Sequence, residues 1–327
     1  MSFLVRWISA VACLWVLALP ARAALLPPYF ISSVVALGSV QFVSEPGKPP
    51  ATKWVTEGTG FFFGYLVSPD PDPSKRKYAV FLITAGHVIK QHPKTEKMTI
   101  GIRVDATDTG ARSQDFEIPL GNWFFHPNTE IDIAAVQVPI EFLKSKGLET
   151  AFTANDEMAF DKAKLIEAGV SAGDGVFILG FPMGLTGETR NYVIARQGAI
   201  ARLSQYLENA STSFLVDSFV FPGNSGGPVI LRPEMFAVTG TKPNQKAALI
   251  GLVQSYQPYT DIAFSAQTKH PRITFEENSG LAVVIPVDFI NELVKSRAEA
   301  VWKEEQVKVK PAETAPAPPQ PQPEPAK

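Results

Sequence analysis

One serine of this chain lies between glycines, in a stretch that could carry a nucleophile. Residues 221–229 place Gly223 and Gly226 on either side of Ser225. Glycine allows positive φ angles and a close approach of the backbone, so a hydroxyl can protrude while nearby N–H groups face a developing negative charge. Ser225 is therefore a candidate nucleophile for acyl transfer. A serine in a glycine-rich turn can also be purely structural, and this alternative stays open on the residue alone.

A histidine upstream could act as the base that a serine nucleophile needs. His87 follows an apolar run and a small-residue turn at 82–86, and the whole chain has four histidines. A lone histidine of this kind is often a structural core residue. The assignment of His87 therefore depends on finding a partner that would orient its ring.

The best-placed partner is an acid inside an apolar run. Asp132 lies within the apolar, strand-like stretch 131–138. Burying a carboxylate without a partner is costly, so a hydrogen-bonding group is expected beside it, and a carboxylate orients an imidazole well. Asp132 could instead cap a turn. The ordered set of His87, Asp132 and Ser225, each in a separate strand context, favours a catalytic triad in a cleft between two groups of strands.

The first 23 residues have the pattern of a secretory signal peptide. Arg6 precedes an apolar run at 7–19, and a small-residue site predicts cleavage before Ala24. The apolar run is shorter than the ~20 residues that a bilayer requires, so we expect an exported protein that does not span a membrane. The only cysteine, Cys13, would leave with this peptide, so no disulfide is expected.

Composition argues against several other functions. The formal net charge of −2 becomes −4 once the two arginines of residues 1–23 are removed, so no basic field for nucleic acid is present. His87 and His92 lie five positions apart, which is not a zinc spacing. We therefore expect no metal, no cofactor and no nucleic-acid partner.

Short apolar runs separated by turn residues predict an all-β protein, either as two barrels or as a pair of sandwiches. They form two clusters, within 51–140 and 175–285, and the pieces between them, at 140–146 and 159–168, resemble short helices. The predicted strands are 59–67, 78–84, 98–104, 131–138, 175–179, 192–203, 213–220, 229–231, 247–254 and 281–285.

The remaining segments have simpler expectations. Residues 24–50 read as a lead-in segment ending in a loop, and 257–280 as a long polar surface loop. A helix is predicted over 286–306, since proline favours the first helical turn and apolar residues recur at helical spacing. The last segment, 307–327, is rich in proline and alanine, which predicts a disordered tail.

Residues 223–227 also match the G-x-S-x-G nucleophile elbow of α/β-hydrolases. An elbow serine begins a helix, whereas residues 228–231 read as a strand. The histidine of such an enzyme follows its serine, and only His270 does so here, in a polar segment. The elbow is therefore the weaker interpretation.

Several motifs together resemble the trypsin-fold serine proteases, most closely those of the bacterial HtrA/Deg type. The similar stretches are 84–88, 132–134, 180–185, 217–227 and 280–286, and the resemblance covers roughly residues 50–295. It implies two six-stranded antiparallel β-barrels. The protease domain would occupy 51–306, with an N-terminal barrel over about 51–145, a C-terminal barrel over about 170–285 and then the helix.

The resemblance also implies roles for matching residues. Ser225 would be the nucleophile, His87 the general acid and base, and Asp132 the residue that orients it. The N–H groups of Gly223 and Ser225 would form the oxyanion hole. Polypeptides would be the substrates, and export would place the protein in a bacterial periplasm or outside the cell.

Substrate-binding residues follow from the same resemblance. Phe219, Val220 and residues near 254–256, Ser255 among them, would line the pocket for the side chain before the scissile bond. Gln254 would lie on the strand that pairs with the substrate backbone. Phe219 occupies the floor position where a trypsin needs an acid. The resemblance therefore implies a preference for a neutral, small or medium aliphatic side chain.

The chain departs from the HtrA/Deg pattern in one major respect. Those proteases usually carry a PDZ domain after the protease domain, and the roughly 40 residues after Pro286 are too few for one. Two other functions stay open at this point. The chain could be an inactive, peptide-binding relative, or an attachment protein whose tail, 307–327, contacts the cell envelope.

Overall fold

The computed structural model describes residues 25–43, 47, 49, 51–92 and 98–309. The expected signal peptide, 1–23, and the tail from residue 310 onward lie outside the described residues. Among the residues it describes, no helix has both the length and the apolar character needed to cross a bilayer.

The first half of the chain forms an N-terminal lobe built mainly of strands. Its elements in chain order are α1 (Pro28–Ser32), β1 (Val34–Val43), β2 (Ala51–Ser68), β3 (Lys77–Ala85), α2 (Gly86–Lys90), β4 (Thr99–Val104), β5 (Gln114–Pro119), β6 (Phe124–Phe125), β7 (Ile133–Gln137), α3 (Ile140–Ser145) and β8 (Thr153–Ala154).

The second half forms a C-terminal lobe and ends in a long helix. Its elements are α4 (Lys162–Ala168), β9 (Gly175–Gly180), β10 (Ile194–Arg202), α5 (Ser204–Leu207), β11 (Phe214–Asp217), β12 (Pro228–Leu231), β13 (Ala248–Phe264), β14 (Pro271–Pro286) and α6 (Val287–Val309). Every predicted strand falls on one of these observed strands, and the two short helical pieces correspond to α3 and α4.

The C-terminal lobe is a closed barrel of six strands in the order β10-β11-β14-β13-β12-β9. All of its pairings are antiparallel. The N-terminal lobe is an eight-stranded sheet in the order β5-β4-β1-β2-β3-β7-β6, with β8 paired in parallel to β2. The all-β, two-lobed fold class is confirmed, but the N-terminal sheet forms a half-barrel rather than a closed six-stranded barrel.

Strand β1 belongs to the N-terminal sheet, although the sequence did not predict it as a strand. It lies in the segment 24–50, which the sequence analysis described only as a lead-in, yet it pairs with both β2 and β4. Residues 34–37 are all buried, so they form a continuous apolar run and not the alternating pattern of a half-exposed strand. Such a short run is hard to assign from periodicity.

The prediction of a loop at 257–280 is wrong. The outer parts of β13 and β14 form a long hairpin here, with Thr260 opposite Glu276 and Ile262 opposite Thr274. Almost every residue of this hairpin is exposed on both faces. Neither face is buried, so no alternation of apolar and polar residues marked it as two strands.

Helix α6 returns across the molecule and packs on both lobes. Its buried residues Ile290, Val294 and Ala298 join the main apolar cluster, which includes residues of β2 and β3. Near its first turn, the Asp288 carboxylate accepts hydrogen bonds from the Lys162 N–H at 3.1 Å and from the Tyr206 hydroxyl at 2.6 Å. This carboxylate therefore joins α4, α5 and α6.

We expect Tyr206→Phe to lower the free energy of unfolding by about 1–2 kcal/mol, because a buried hydrogen bond to a carboxylate is lost. Burial raises the pKa of the Tyr206 hydroxyl above its ordinary value of 10.0, and the bond to Asp288 raises it further. The contribution should be present below about pH 10 and should be lost as the pH rises above that value. Urea unfolding at pH 7 and at increasing alkaline pH measures both effects.

Tyr192→Phe is the matched control, since Tyr192 is exposed and its hydroxyl makes no hydrogen bond within the described part of the chain. Equal stability of the two variants at pH 7 would contradict the role of Tyr206.

Candidate active site

The pairing of β3 with β7 brings His87 and Asp132 together. Ala85, the last residue of β3, lies opposite Ile133, the first residue of β7. His87 follows that pair on one side and Asp132 precedes it on the other, so the two side chains meet where both strands end. The His87 Nδ1 atom lies 2.5 Å from an Asp132 carboxylate oxygen.

This hydrogen bond fixes the chemistry of the ring. An ionised carboxylate only accepts hydrogen bonds, so beside it a neutral imidazole carries its proton on Nδ1 and keeps a lone pair on Nε2. The His87 side chain is 31% exposed and that of Asp132 is 17% exposed. The carboxylate therefore holds the ring on its more buried side. The Nε2 atom of the ring is available to receive a proton.

A glycine makes room for the pair. The Gly86 N–H donates to the Asp132 carbonyl at 2.9 Å. A Cβ at Gly86 would lie 2.6 Å from the Asp132 Oδ1 atom, which is closer than real Cβ contacts. Any side chain at this position would therefore force the Asp132 carboxyl group to shift.

Ser225 lies in the loop between β11 and β12, and barrel strands hold that loop. The Gly226 N–H donates to the Val253 carbonyl, and the Val253 N–H donates to the Gly227 carbonyl. Gly223 and Gly226 have φ angles of 97° and 84°, which favour glycine. The Ser225 hydroxyl donates to the Gln254 carbonyl at 3.3 Å, which is the one hydrogen bond that this hydroxyl makes among the described residues.

The serine loop is bound to the N-terminal lobe through Thr59, a fully buried residue of β2. The Thr59 N–H donates to the Ser225 carbonyl at 2.9 Å. Its hydroxyl donates to the Gly223 carbonyl at 2.6 Å and accepts from the Phe181 N–H at 3.1 Å. Its own carbonyl accepts from the Thr84 hydroxyl at 2.7 Å. These contacts bring the serine loop against the end of β3, two residues before the turn that carries His87.

The sequence analysis missed Thr59, which it treated only as the start of a predicted strand. One signal was available, because Thr59 is a hydroxyl residue between two glycines at the beginning of an apolar run. That pattern alone does not distinguish a lobe-to-lobe contact from an ordinary strand residue.

Two backbone donors of the loop have no acceptor. The N–H groups of Gly223 and Ser225 make no hydrogen bond within the described residues. The Met183 N–H donates to the Pro222 carbonyl at 2.6 Å. Because the C=O and N–H of a trans peptide point in opposite directions, this bond turns the Gly223 N–H away from Met183. Free, preorganised donors of this kind can stabilise an oxyanion.

The residues predicted to bind substrate lie beside this loop. Phe219 is 50% exposed, and its ring stacks with that of Phe221 at a centroid distance of 6.5 Å. The side chain of Val220 is buried in the core of the C-terminal barrel. Gln254 and Ser255 lie on β13. Their roles in a substrate pocket stay predictions.

Of the four histidines, His87 alone combines an exposed ring with a carboxylate partner. His92 is buried, with one ring nitrogen 2.5 Å from Glu57 and the other 2.9 Å from a backbone carbonyl, so neither is free. His126 is also buried, and His270 lies on the exposed hairpin without a carboxylate contact among the described residues. Within those residues no cluster of histidine, cysteine or acidic side chains could hold a metal ion.

A closed β-barrel, a second β lobe and a histidine–carboxylate pair beside a glycine-flanked serine define the trypsin-like class of peptidase folds. The comparison with protein families agrees, since the model of the trypsin-like peptidase domain matches residues 58–234, more than half of the chain. The chain belongs to the trypsin-like peptidase domain family. A search of curated proteins finds no match. The closer likeness to the HtrA/Deg type stays a prediction from the motifs.

We expect Gly86→Ala to lengthen or break the hydrogen bond between His87 and Asp132, because its Cβ would lie 2.6 Å from the Asp132 Oδ1 atom and would push the carboxyl group whose other oxygen contacts His87. The proton on Nδ1 in this short bond should give a strongly deshielded resonance in the proton NMR spectrum of the native protein. Gly86→Ala should remove that resonance or shift it upfield.

The matched control is Gly121→Ala, since a Cβ at Gly121 would meet no atom within 4 Å. An unchanged resonance in folded Gly86→Ala would show that the carboxylate is not confined in the way the structure indicates.

Proposed function

We propose that this protein is an exported serine endopeptidase in which Ser225, His87 and Asp132 form a catalytic triad. The observation that carries the proposal is the hydrogen bond of 2.5 Å between His87 and Asp132. It lies near a serine loop in which the N–H groups of Gly223 and Ser225 have no acceptor among the described residues. Membership of the trypsin-like peptidase domain family supports the reaction class.

In the proposed reaction, the Ser225 hydroxyl turns from the Gln254 carbonyl toward His87 Nε2. The oxygen attacks the peptide carbonyl while Nε2 takes the hydroxyl proton, and Asp132 stabilises the imidazolium that forms. The N–H groups of Gly223 and Ser225 receive the oxyanion. Nε2 then gives its proton to the leaving amine. In the second half of the reaction, water attacks the acyl-enzyme while Nε2 takes a proton from that water, and Nε2 then returns the proton to the Ser225 oxygen.

The free edge of β13 next to Ser225 is suited to bind the substrate backbone by strand addition. Beyond β12, this edge has no strand partner within the described residues, beginning at Gln254 and Ser255. Pro258 lacks an N–H group, and the Ile262 N–H is occupied by the Asp261 carboxylate at 2.7 Å. These residues blunt the outer edge, so we propose that backbone pairing ends near Pro258.

The signal-peptide pattern of residues 1–23 supports export. With the resemblance to bacterial proteases, we propose a periplasmic or extracellular location. The proline-rich tail, 307–327, would contact the cell envelope. N-terminal sequencing of the mature protein should begin at Ala24, and a first residue upstream would contradict the proposed cleavage site.

The triad is tested with purified residues 24–327, a fluorophosphonate probe and unfolded casein. We expect the native protein to be labelled once and to degrade casein. In Ser225→Ala, labelling should vanish and kcat should fall by about four to six orders of magnitude, as the loss of a triad nucleophile does. Ser171→Ala is the control, because this exposed serine lies in a distant turn.

Labelling of the native protein without casein cleavage would indicate a formed site of narrow specificity. A folded native protein that is neither labelled nor active would overturn the proposal and favour the alternative, an inactive peptide-binding relative.

We expect cleavage after neutral, small or medium aliphatic residues, because Phe219 places an uncharged ring at the predicted pocket floor. A peptide library analysed by mass spectrometry measures this preference. Phe219→Asp should increase cleavage after lysine and arginine by at least about tenfold, since an opposite charge in a pocket favours a basic side chain. Cleavage after lysine or arginine by the native protein would contradict the expected neutral pocket.

A further inference from the structure

We propose that Thr59 is a positioning residue whose hydroxyl holds the serine loop in its reactive shape. This inference rests on the proposed peptidase function, and it assigns to the N-terminal lobe a residue that acts on the nucleophile of the C-terminal lobe. Among the described residues, Thr59 makes no hydrogen bond with the His87 ring or the Ser225 hydroxyl, so it would act through the loop backbone and not on the substrate.

The hydroxyl of Thr59 makes two hydrogen bonds of opposite kind. It donates to the Gly223 carbonyl at 2.6 Å and accepts from the Phe181 N–H at 3.1 Å. A hydroxyl has one donor and two acceptor positions, so serine or threonine meets both needs and valine meets neither. Replacing it by valine would leave a buried carbonyl and a buried N–H group without partners.

The backbone of Thr59 adds a second attachment to the same loop. Its N–H donates to the Ser225 carbonyl, so the carbonyls of Gly223 and Ser225 are both fixed by one residue. Each of these carbonyls begins the peptide bond that follows its own residue, and the two N–H groups proposed for the oxyanion hole belong to the same short stretch. The two peptide planes held in this way carry the Asn224 and Gly226 N–H groups. They lie on either side of the plane that carries the Ser225 N–H, so holding them limits how far that donor can turn.

The surroundings of Thr59 leave little freedom for it to move. A Cβ at Gly226 would lie 2.2 Å from the Thr59 carbonyl oxygen, and a Cβ at Gly180 would lie 2.6 Å from its hydroxyl oxygen. The Thr84 hydroxyl fixes the Thr59 carbonyl from the other side at 2.7 Å. Because Gly180 and Gly226 have no side chain, the end of β9 and the serine loop can both approach Thr59 closely.

A loop held in this way should matter more to the transition state than to substrate binding. The oxyanion exists only during the reaction, so misplaced donors lower kcat and leave KM nearly unchanged. A residue that merely stabilised the fold would instead reduce the amount of folded protein and would leave the kcat of the folded fraction unaltered.

The test uses Thr59→Val, Thr59→Ser and the native protein, each as residues 24–327. We expect Thr59→Val to lower kcat for a peptide substrate by about 30-fold, in line with the loss of a buried polar contact to a neutral partner. KM should change by less than about threefold. Thr59→Ser keeps the hydroxyl and should restore kcat to within about threefold of the native value.

Ser33→Ala is the control, because it also removes a buried hydroxyl-to-carbonyl hydrogen bond, of 2.9 Å to Phe30, and Ser33 makes no hydrogen bond to the serine loop among the described residues. It should lower thermal stability as Thr59→Val does and leave kcat unchanged. Equal kcat for Thr59→Val and the native protein, or an equal loss of kcat in Ser33→Ala, would overturn the proposal.

Hydrogen exchange tests the same inference without relying on activity. The amides of Asn224, Gly226 and Gly227 are hydrogen-bonded in the serine loop. Their exchange, followed by mass spectrometry of peptides covering 219–230, should accelerate by at least about tenfold in Thr59→Val and not in Thr59→Ser or Ser33→Ala. Unchanged exchange in Thr59→Val would overturn the positioning role. An inactive native protein with accelerated exchange in Thr59→Val would overturn the peptidase function alone.

Discussion

The hydrogen bonds of Thr59 are the constraint on which the position of the serine loop against the N-terminal lobe depends. One buried residue of β2 binds the carbonyls of Gly223 and Ser225 and the N–H of Phe181, all from the C-terminal lobe. Each lobe supplies a part that has no chemical use alone, since the histidine–carboxylate pair lies in one lobe and the serine in the other. The proposed site therefore lies where the lobes meet, and the contacts of Thr59 hold the serine loop there.

At this junction of the lobes, strand register and glycine residues determine the local geometry. The pairing of Ala85 with Ile133 places His87 beside Asp132, and Gly86 leaves the space that the carboxylate fills. The glycines of the serine loop also make room, because they pass close to neighbouring backbone where no Cβ would fit. Short-range sterics thus hold groups whose function is electrostatic.

The parts of this structure that sequence could predict are those with a local signal. The apolar runs marked ten of the fourteen strands that the structure describes and missed β5, β6 and β8 as well as β1. The triad candidates stood out because acids and histidines are unusual beside such runs. The outer hairpin was not predicted because it buries neither face, and β1 was not predicted because its first residues bury both faces. Thr59 escaped for a different reason, since its partners lie more than 100 residues away, and a long-range contact leaves no trace in local composition.

The central claim is that the lobe junction assembles a nucleophile and an oxyanion hole around Ser225. A crystal structure of the native protein after reaction with a fluorophosphonate tests it most directly. The account predicts phosphorus bonded to the Ser225 oxygen, a phosphoryl oxygen within hydrogen-bond distance of the Gly223 and Ser225 N–H groups, and His87 still bonded to Asp132. A phosphonate on another residue, or a phosphoryl oxygen directed away from those two N–H groups, would contradict it.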